Sequence, residues 1–104
     1  MGYFVNGGGM VIQNKEVPEE VLALLVSAEF FVEDSPDGGI WLTFEDRNFN
    51  DQVEESLKAL APYVRTGNVE FAGEDGEHFR YEFDDGKLWY CDGEIVYKRR
   101  NEVV

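Results

Sequence analysis

One histidine and one cysteine are the residues of this chain that most often carry acid–base or nucleophilic chemistry. His78 falls in the alternating segment His-Phe-Arg-Tyr-Glu-Phe, on the polar side of a predicted strand. Cys91 falls in an aromatic strand-like segment, where we expect a buried, inert thiol. No nucleophile triad accompanies them, and one His with one Cys is too few for a usual zinc site. The sequence therefore predicts no enzyme, no catalytic residue and no metal.

The two tryptophans and three aspartates are the next residues that could form a site. Trp41 and Trp89 each fall in an apolar strand-like segment, so we expect core aromatics rather than the walls of a ligand pocket. Asp84, Asp85 and Asp92 fall in two predicted turns, where aspartate is favoured for backbone reasons. We therefore expect the two tryptophans to lie in the core and the three aspartates to lie in turns, and the sequence predicts no cofactor.

The strongest signal is charge: 22 Asp and Glu stand against 9 Lys and Arg in 104 residues, a formal net charge of -13. Such a surface should repel nucleic acid and anionic membranes and attract basic surfaces, although it also serves solubility. A hydrophobic fraction of 43% favours one folded domain, residues 1–104. Without a signal peptide or a long apolar run, we expect a cytoplasmic protein.

Apolar periodicity predicts two helices. The first begins at Pro18 and places an apolar stripe against the core. The second is capped by Asn48 or Asn50 and ends near Leu60, because Pro62 lacks an N–H. The predicted core stripes are Val21, Leu24, Leu25 and Ala28 in the first helix, and Val53, Leu57 and Leu60 in the second.

The strands are marked by alternation and turns. Residues 3–12, around Gly7-Gly8-Gly9, are either two short strands with a tight turn or one strand with a bulge. Segments 30–33 and 40–44 are predicted partners across a turn at 35–39. A meander of four strands follows: it places Phe79, Tyr81 and Phe83 on one face and turns at 74–77, Asp85-Gly86 and Asp92-Gly93, and its last strand is 95–97.

These elements predict an α+β fold, an antiparallel sheet with two helices packed on one face, in the order β-α-β-β-α-β-β-β-β. The first six elements follow the order of a ferredoxin-like fold, and the meander extends it. The second face of the sheet should be open and lined by polar and charged side chains.

We expect the protein to inhibit a basic nucleic-acid-binding protein or nuclease by presenting carboxylates as a nucleic-acid mimic. It would contact that protein rather than nucleic acid or a membrane. The candidate partner-binding residues are Asp51, Glu54, Glu55, Glu70, Glu74, Asp75, Glu77, Glu82, Asp84 and Asp85.

A resemblance supports this expectation. A small, strongly acidic chain without catalytic residues that carries the basic tail Lys98-Arg99-Arg100 resembles phage-encoded host-defence inhibitors of the anti-CRISPR and anti-restriction type. The opening Met1-Gly2-Tyr3 and the acidic turns at 73–77 and 83–87 are similar to segments of small proteins of bacteria and their phages. The resemblance implies inhibition by direct binding in a bacterial host cell, with a CRISPR nuclease complex as one target class.

Two alternatives stay open. The aromatic residues Tyr81, Trp89, Tyr90 and Tyr97 could line a small-molecule pocket on the open face of the sheet. The chain could instead be an oligomeric interaction module, with a homodimer formed through its last strand or its basic tail.

Overall fold

The computed structural model describes residues 5–36, 38–46, 51–73, 76–93 and 99–103. The elements in chain order are β1 Val5–Gln13, α1 Glu19–Ser27, β2 Phe30–Asp34, β3 Gly39–Asp46, α2 Asp51–Leu60, a 3-10 turn Ala61–Tyr63, β4 Val64–Gly73, β5 His78–Asp84, β6 Lys87–Gly93 and β7 Arg99–Val103. This order confirms the predicted α+β fold class.

The strands form one antiparallel sheet in the order β2-β3-β1-β4-β5-β6-β7. Strand β3 lies between β1 and β2, and β1 lies between β3 and β4. Helices α1 and α2 are therefore the crossovers of two split βαβ units, the ferredoxin-like arrangement. Because β1 and β3 run in opposite directions and the crossovers step in opposite directions, right-handed connections bring both helices to the same face.

The core lies between that face and the two helices. Phe44 and Phe71 are among its largest fully buried side chains. Their ring centroids are 5.8 Å apart in an edge-to-face arrangement, and Phe71 stacks on Phe79 at 5.2 Å. Leu25 of α1 and Leu57 of α2 cover the same cluster. Burying these large apolar side chains is the main term that stabilises the fold.

The glycine run is part of one continuous strand, so the alternative of two short strands is wrong. The register of β1 against β4 is irregular only between Ile12 and Gln13, beyond the glycine run. An ideal Cβ on Gly9 would overlap the carbonyl oxygen of Asn68, and one on Gly7 would overlap that of Glu70. Glycine is required here because the neighbouring backbone comes close on the face that carries the core.

Three core predictions are wrong, and one of them is Trp89, which is half-buried on the open face opposite Glu82 rather than in the core. Leu24 is 44% exposed, because the buried arc of α1 runs through Val21, Leu25 and Ala28 and extends towards Leu22 instead. Trp41 is 47% exposed, because the alternating residues of β3 turn Ile40, Leu42 and Phe44 to the helices and Trp41 to the other face.

The end of the meander also differs from its prediction. Asp92 and Gly93 lie within β6, paired with Phe79 and His78, and form no turn. The final strand begins at Arg99, in the basic tail, and pairs with β6. The predicted strand 95–97 and the predicted caps Asn48 and Asn50 lie outside the described residues. Within the described residues, neither helix is long and apolar enough to span a bilayer.

Candidate protein-binding surface

The predicted partner-binding carboxylates are divided between the two sides of the molecule. Asp51 and Glu55 are exposed on α2, which covers one face of the sheet. Glu70, Glu82 and Asp84 belong to the opposite, open face, because their alternate neighbours Phe71, Tyr81 and Phe83 fill the core. The structure does not bring the helix set and the sheet set together.

In the helix set, Glu54 is turned towards the sheet. The Tyr81 hydroxyl donates a 2.8 Å hydrogen bond to its Oε1. Burial, followed by this bond to a carboxylate, raises the pKa of Tyr81 well above its ordinary value. Glu55 forms a 3.3 Å ion pair with Lys58, with the Glu55 side chain 66% exposed. Glu54 thus ties α2 to β5, while Asp51 and Glu55 face solvent.

On the open face, Arg80 lies between two of the predicted carboxylates. Its guanidinium nitrogens are 2.7 Å from a Glu82 oxygen and 3.4 Å from a Glu70 oxygen. Burial opposes the charged form of Arg80, but a hydrogen bond with Cys91 and the charges of Glu82 and Glu70 outweigh it and raise the pKa. Glu70 and Glu82 are therefore already engaged by a cation of this chain.

Cys91 lies beside Arg80 across the β5–β6 pair and is buried, as predicted. Burial first, and then the nearby Glu82 carboxylate, raises the pKa of the thiol, although Arg80 acts in the opposite direction. A nucleophilic cysteine needs the reverse, because the thiolate is the reactive form. His78 is exposed at the start of β5 on the same face.

The remaining predicted residues lie at the ends of the β5–β6 hairpin. Glu77 is exposed just before β5, and Asp84 is exposed where β5 ends, opposite Lys87. Asp85 and Gly86 form its two-residue turn, with φ of 53° and 86°, which are values for a type I′ turn. Glu74 and Asp75 lie outside the described residues.

Asp92 pairs with Phe79 near the opposite end of the same hairpin, so the three turn aspartates are not brought together. In the part of the chain that the structure describes, no group of three His, Cys, Asp or Glu side chains is placed to hold a metal ion.

The aromatic set of the small-molecule alternative is also divided. Tyr81 is buried in the core, and Tyr90 packs beside it with ring centroids 5.3 Å apart. Trp89 lies on the open face, because it pairs with Glu82. Tyr97 lies outside the described residues. The structure therefore does not place the described members of this set on one face.

A second part of the open face was missed by the sequence reasoning. Phe31 of β2 is 65% exposed, and Trp41 of β3 is 47% exposed. Phe31 pairs with Thr43 and Glu33 pairs with Trp41, so these side chains share the open face. The signal was available in the alternation of β3, since Ile40, Leu42 and Phe44 have the opposite parity to Trp41.

The chain was compared with profiles of known protein families, with curated proteins and with solved structures, and no significant match was found in any of the three comparisons.

Proposed function

We propose that this protein is a non-enzymatic inhibitor that binds a lysine- and arginine-rich surface of a nucleic-acid-handling protein and excludes nucleic acid from it. The observation that carries the proposal is the net charge of -13, combined with exposed carboxylates on both sides of the fold. The exposed acids include Glu19, Glu20, Asp51 and Glu55 on the helix side and Glu33, Glu45 and Glu70 on the open face.

The size of the charge suits this role. The longest axis of the protein is 36 Å, and a DNA duplex of that length carries about 20 phosphate charges. The chain has a net charge of -13, about two-thirds of that number. A basic channel that binds a nucleic acid would therefore meet a comparable negative field on this protein, and association would be fast and salt-dependent.

Binding is favoured over catalysis by the state of the two reactive side chains. Cys91 is buried with a raised thiol pKa, which keeps it protonated at neutral pH. His78 is exposed on the open face, and the residues paired with it across the two neighbouring strands are Ala72 and Gly93, neither of which can orient an imidazole.

The resemblance to phage-encoded defence inhibitors suggests the class of target. A CRISPR or restriction nuclease holds its nucleic acid in a positively charged channel. We therefore propose a nuclease complex of a bacterial host as the partner, with the channel as the surface that is blocked.

The test begins by immobilising the protein and passing a nuclease-treated bacterial lysate over it. Retained proteins are eluted with rising salt and identified by mass spectrometry, and each is then purified and tested for nucleic-acid binding with and without this protein. We expect a basic nucleic-acid-binding protein that elutes with salt and loses its nucleic acid when this protein is added.

Three results would contradict the proposal. The retained proteins could be neither basic nor nucleic-acid-binding. A retained protein could hold nucleic acid and this protein at the same time. Nothing could be retained even at low salt, where the electrostatic attraction is strongest.

A further inference from the structure

We propose that the β2–β3 surface, defined as Phe31, Glu33, Trp41, Thr43 and Glu45 on the open face, binds arginine side chains of a basic protein segment. An incoming guanidinium would stack on Trp41 and pair with the carboxylate of Glu33. This inference rests on the proposed function for the basic character of the partner and adds where, and through which chemistry, that partner is held.

The first argument is exposure. Phe31 and Trp41 are 65% and 47% exposed, whereas Phe30 and Phe44 of the same strands are buried. They sit on adjacent strands at positions offset by two residues, within reach of one ligand side chain. Neighbouring aromatic side chains left uncovered on one face are typical of a contact surface.

The second argument is charge. In the described strands β1, β2 and β3 there is no lysine or arginine, while Glu33 and Glu45 are exposed on the open face. Among the described residues, no ion pair involves either carboxylate. A cation brought to this surface would meet both a ring face and an acid, the combination that holds arginine best.

The third argument is an internal precedent. Glu82 pairs with Trp89 across β5–β6 in the same way that Glu33 pairs with Trp41 across β2–β3. Two residues before Glu82 stands Arg80, which forms a 2.7 Å ion pair with it. Two residues before Glu33 stands Phe31 instead. The chain thus places its own arginine on the glutamate of one Glu–Trp pair, whereas the other pair has no arginine at the matching position.

The test measures binding of an arginine–serine repeat peptide by calorimetry at about 0.15 M salt, where long-range attraction is screened. A lysine–serine peptide of the same length is the reference ligand. We expect the arginine peptide to bind the wild type more tightly than the lysine peptide. Trp41→Leu should weaken binding of the arginine peptide about fivefold and reduce the difference in affinity between the arginine and lysine peptides.

A matched pair of variants separates the site from net charge. Glu33→Gln with Glu45→Gln removes two carboxylates from the β2–β3 surface, and Glu19→Gln with Glu20→Gln removes two exposed carboxylates from α1. We expect the first pair of substitutions to weaken binding of the arginine peptide about fivefold, and the second pair to weaken it less than about twofold. All these positions are exposed, and circular dichroism checks that each variant is folded.

The inference would be overturned if the two pairs of variants lost equal affinity for the arginine peptide, or if Trp41→Leu bound it as tightly as the wild type. Either result would leave the proposed function, inhibition of a basic protein, unaffected. Peptide binding that depends on Trp41, together with a captured partner that keeps its nucleic acid, would overturn the proposed function alone. A wild type that binds neither peptide would contradict both.

Discussion

The β2–β3 and β5–β6 hairpins each place a cross-strand Glu–Trp pair on the open face, but the two pairs differ in burial and in charge pairing. Glu33 faces Trp41 in one, and Glu82 faces Trp89 in the other. In the second hairpin Arg80 stands two residues before the glutamate, and the pair is half-buried and neutralised. In the first, Phe31 holds that position and the pair is exposed.

The difference shows that counting carboxylates overstates how many are available to a partner. Glu70 and Glu82 are engaged by Arg80, and Glu54 accepts a hydrogen bond from Tyr81. On the open face, Glu33 and Glu45 are exposed, form no ion pair within the described residues, and lie on the same two strands as the exposed Phe31 and Trp41. The proposed arginine-binding surface therefore follows from local pairing rather than from net charge.

The largest expected effect concerns β1, through which the β2–β3 hairpin is held to the rest of the sheet. Gly9→Ala should lower the free energy of unfolding by about 3 kcal/mol, because the new Cβ overlaps the Asn68 carbonyl oxygen. The measurement is urea unfolding followed by circular dichroism. Gly8→Ala is the control: its Cβ would lie 2.9 Å from the Leu42 carbonyl oxygen, so we expect a loss nearer 1 kcal/mol. Equal losses would mean that β1 is not held as described.

The next effect tests the neutralised hairpin. Arg80→Met should cost about 2 kcal/mol, because it leaves the partly buried Glu82 carboxylate, 19% exposed, without its 2.7 Å partner. Glu70→Gln should change stability by less than about 0.5 kcal/mol, because that side chain is 54% exposed. Urea midpoints of the two variants check both values. If Arg80→Met is as stable as the wild type, Arg80 does not neutralise this hairpin.

A smaller effect concerns the hydrogen bond between Glu54 of α2 and Tyr81 of β5. Tyr81→Phe should cost about 1 kcal/mol at neutral pH, because it removes the hydrogen bond to Glu54. The folded state raises the pKa of Tyr81 and of Cys91, so it holds both protons to higher pH than the unfolded chain. Stability should therefore be constant near pH 7 and fall as pH rises above about 9.

The same variant isolates the tyrosine contribution to this alkaline loss. Urea midpoints of Tyr81→Phe between about pH 7 and 10.5 should fall less steeply than those of the wild type. Parallel slopes would assign the alkaline loss to other groups.

The smallest effect on stability comes from making the two hairpins alike. Phe31→Arg places an arginine where β5 has Arg80, and we expect a change within about 0.5 kcal/mol because the position is 65% exposed. The affinity for the arginine peptide should nevertheless fall at least about fivefold, because the introduced arginine then pairs with Glu33 beside Trp41. Val26→Arg, at a 60% exposed position of α1, adds the same charge and should change binding less than about twofold.

The fold was largely predictable because its signals are local. Alternation in 78–83 and the Asp85-Gly86 turn predicted the β5–β6 hairpin, and Pro62 predicted the end of α2. The glycine run of β1 was ambiguous, since its cause is the close approach of β4, a contact between distant parts of the chain. The end of β6 was also missed, since Asp-Gly is a turn signal that pairing with β5 overrides here.

The candidate site was less predictable. The neutralisation of Glu70 depends on the β4–β5 register, which places it opposite Arg80 ten residues later in the chain. The exposure of Trp41 follows from the alternation of β3 and from both helices lying on one face, and it was missed because the prediction followed the apolar character of the segment rather than its alternation. Net charge could be read directly, but its division into engaged and available carboxylates could not.

The most direct test of this account is a nuclear magnetic resonance titration of the 15N-labelled protein with the arginine–serine peptide. We expect the largest shifts at the Trp41 indole and at the amides of Phe31, Glu33 and Thr43, and their loss in Phe31→Arg but not in Val26→Arg. Largest shifts on α2 or around Arg80, or small shifts spread evenly over the acidic surface, would contradict the account.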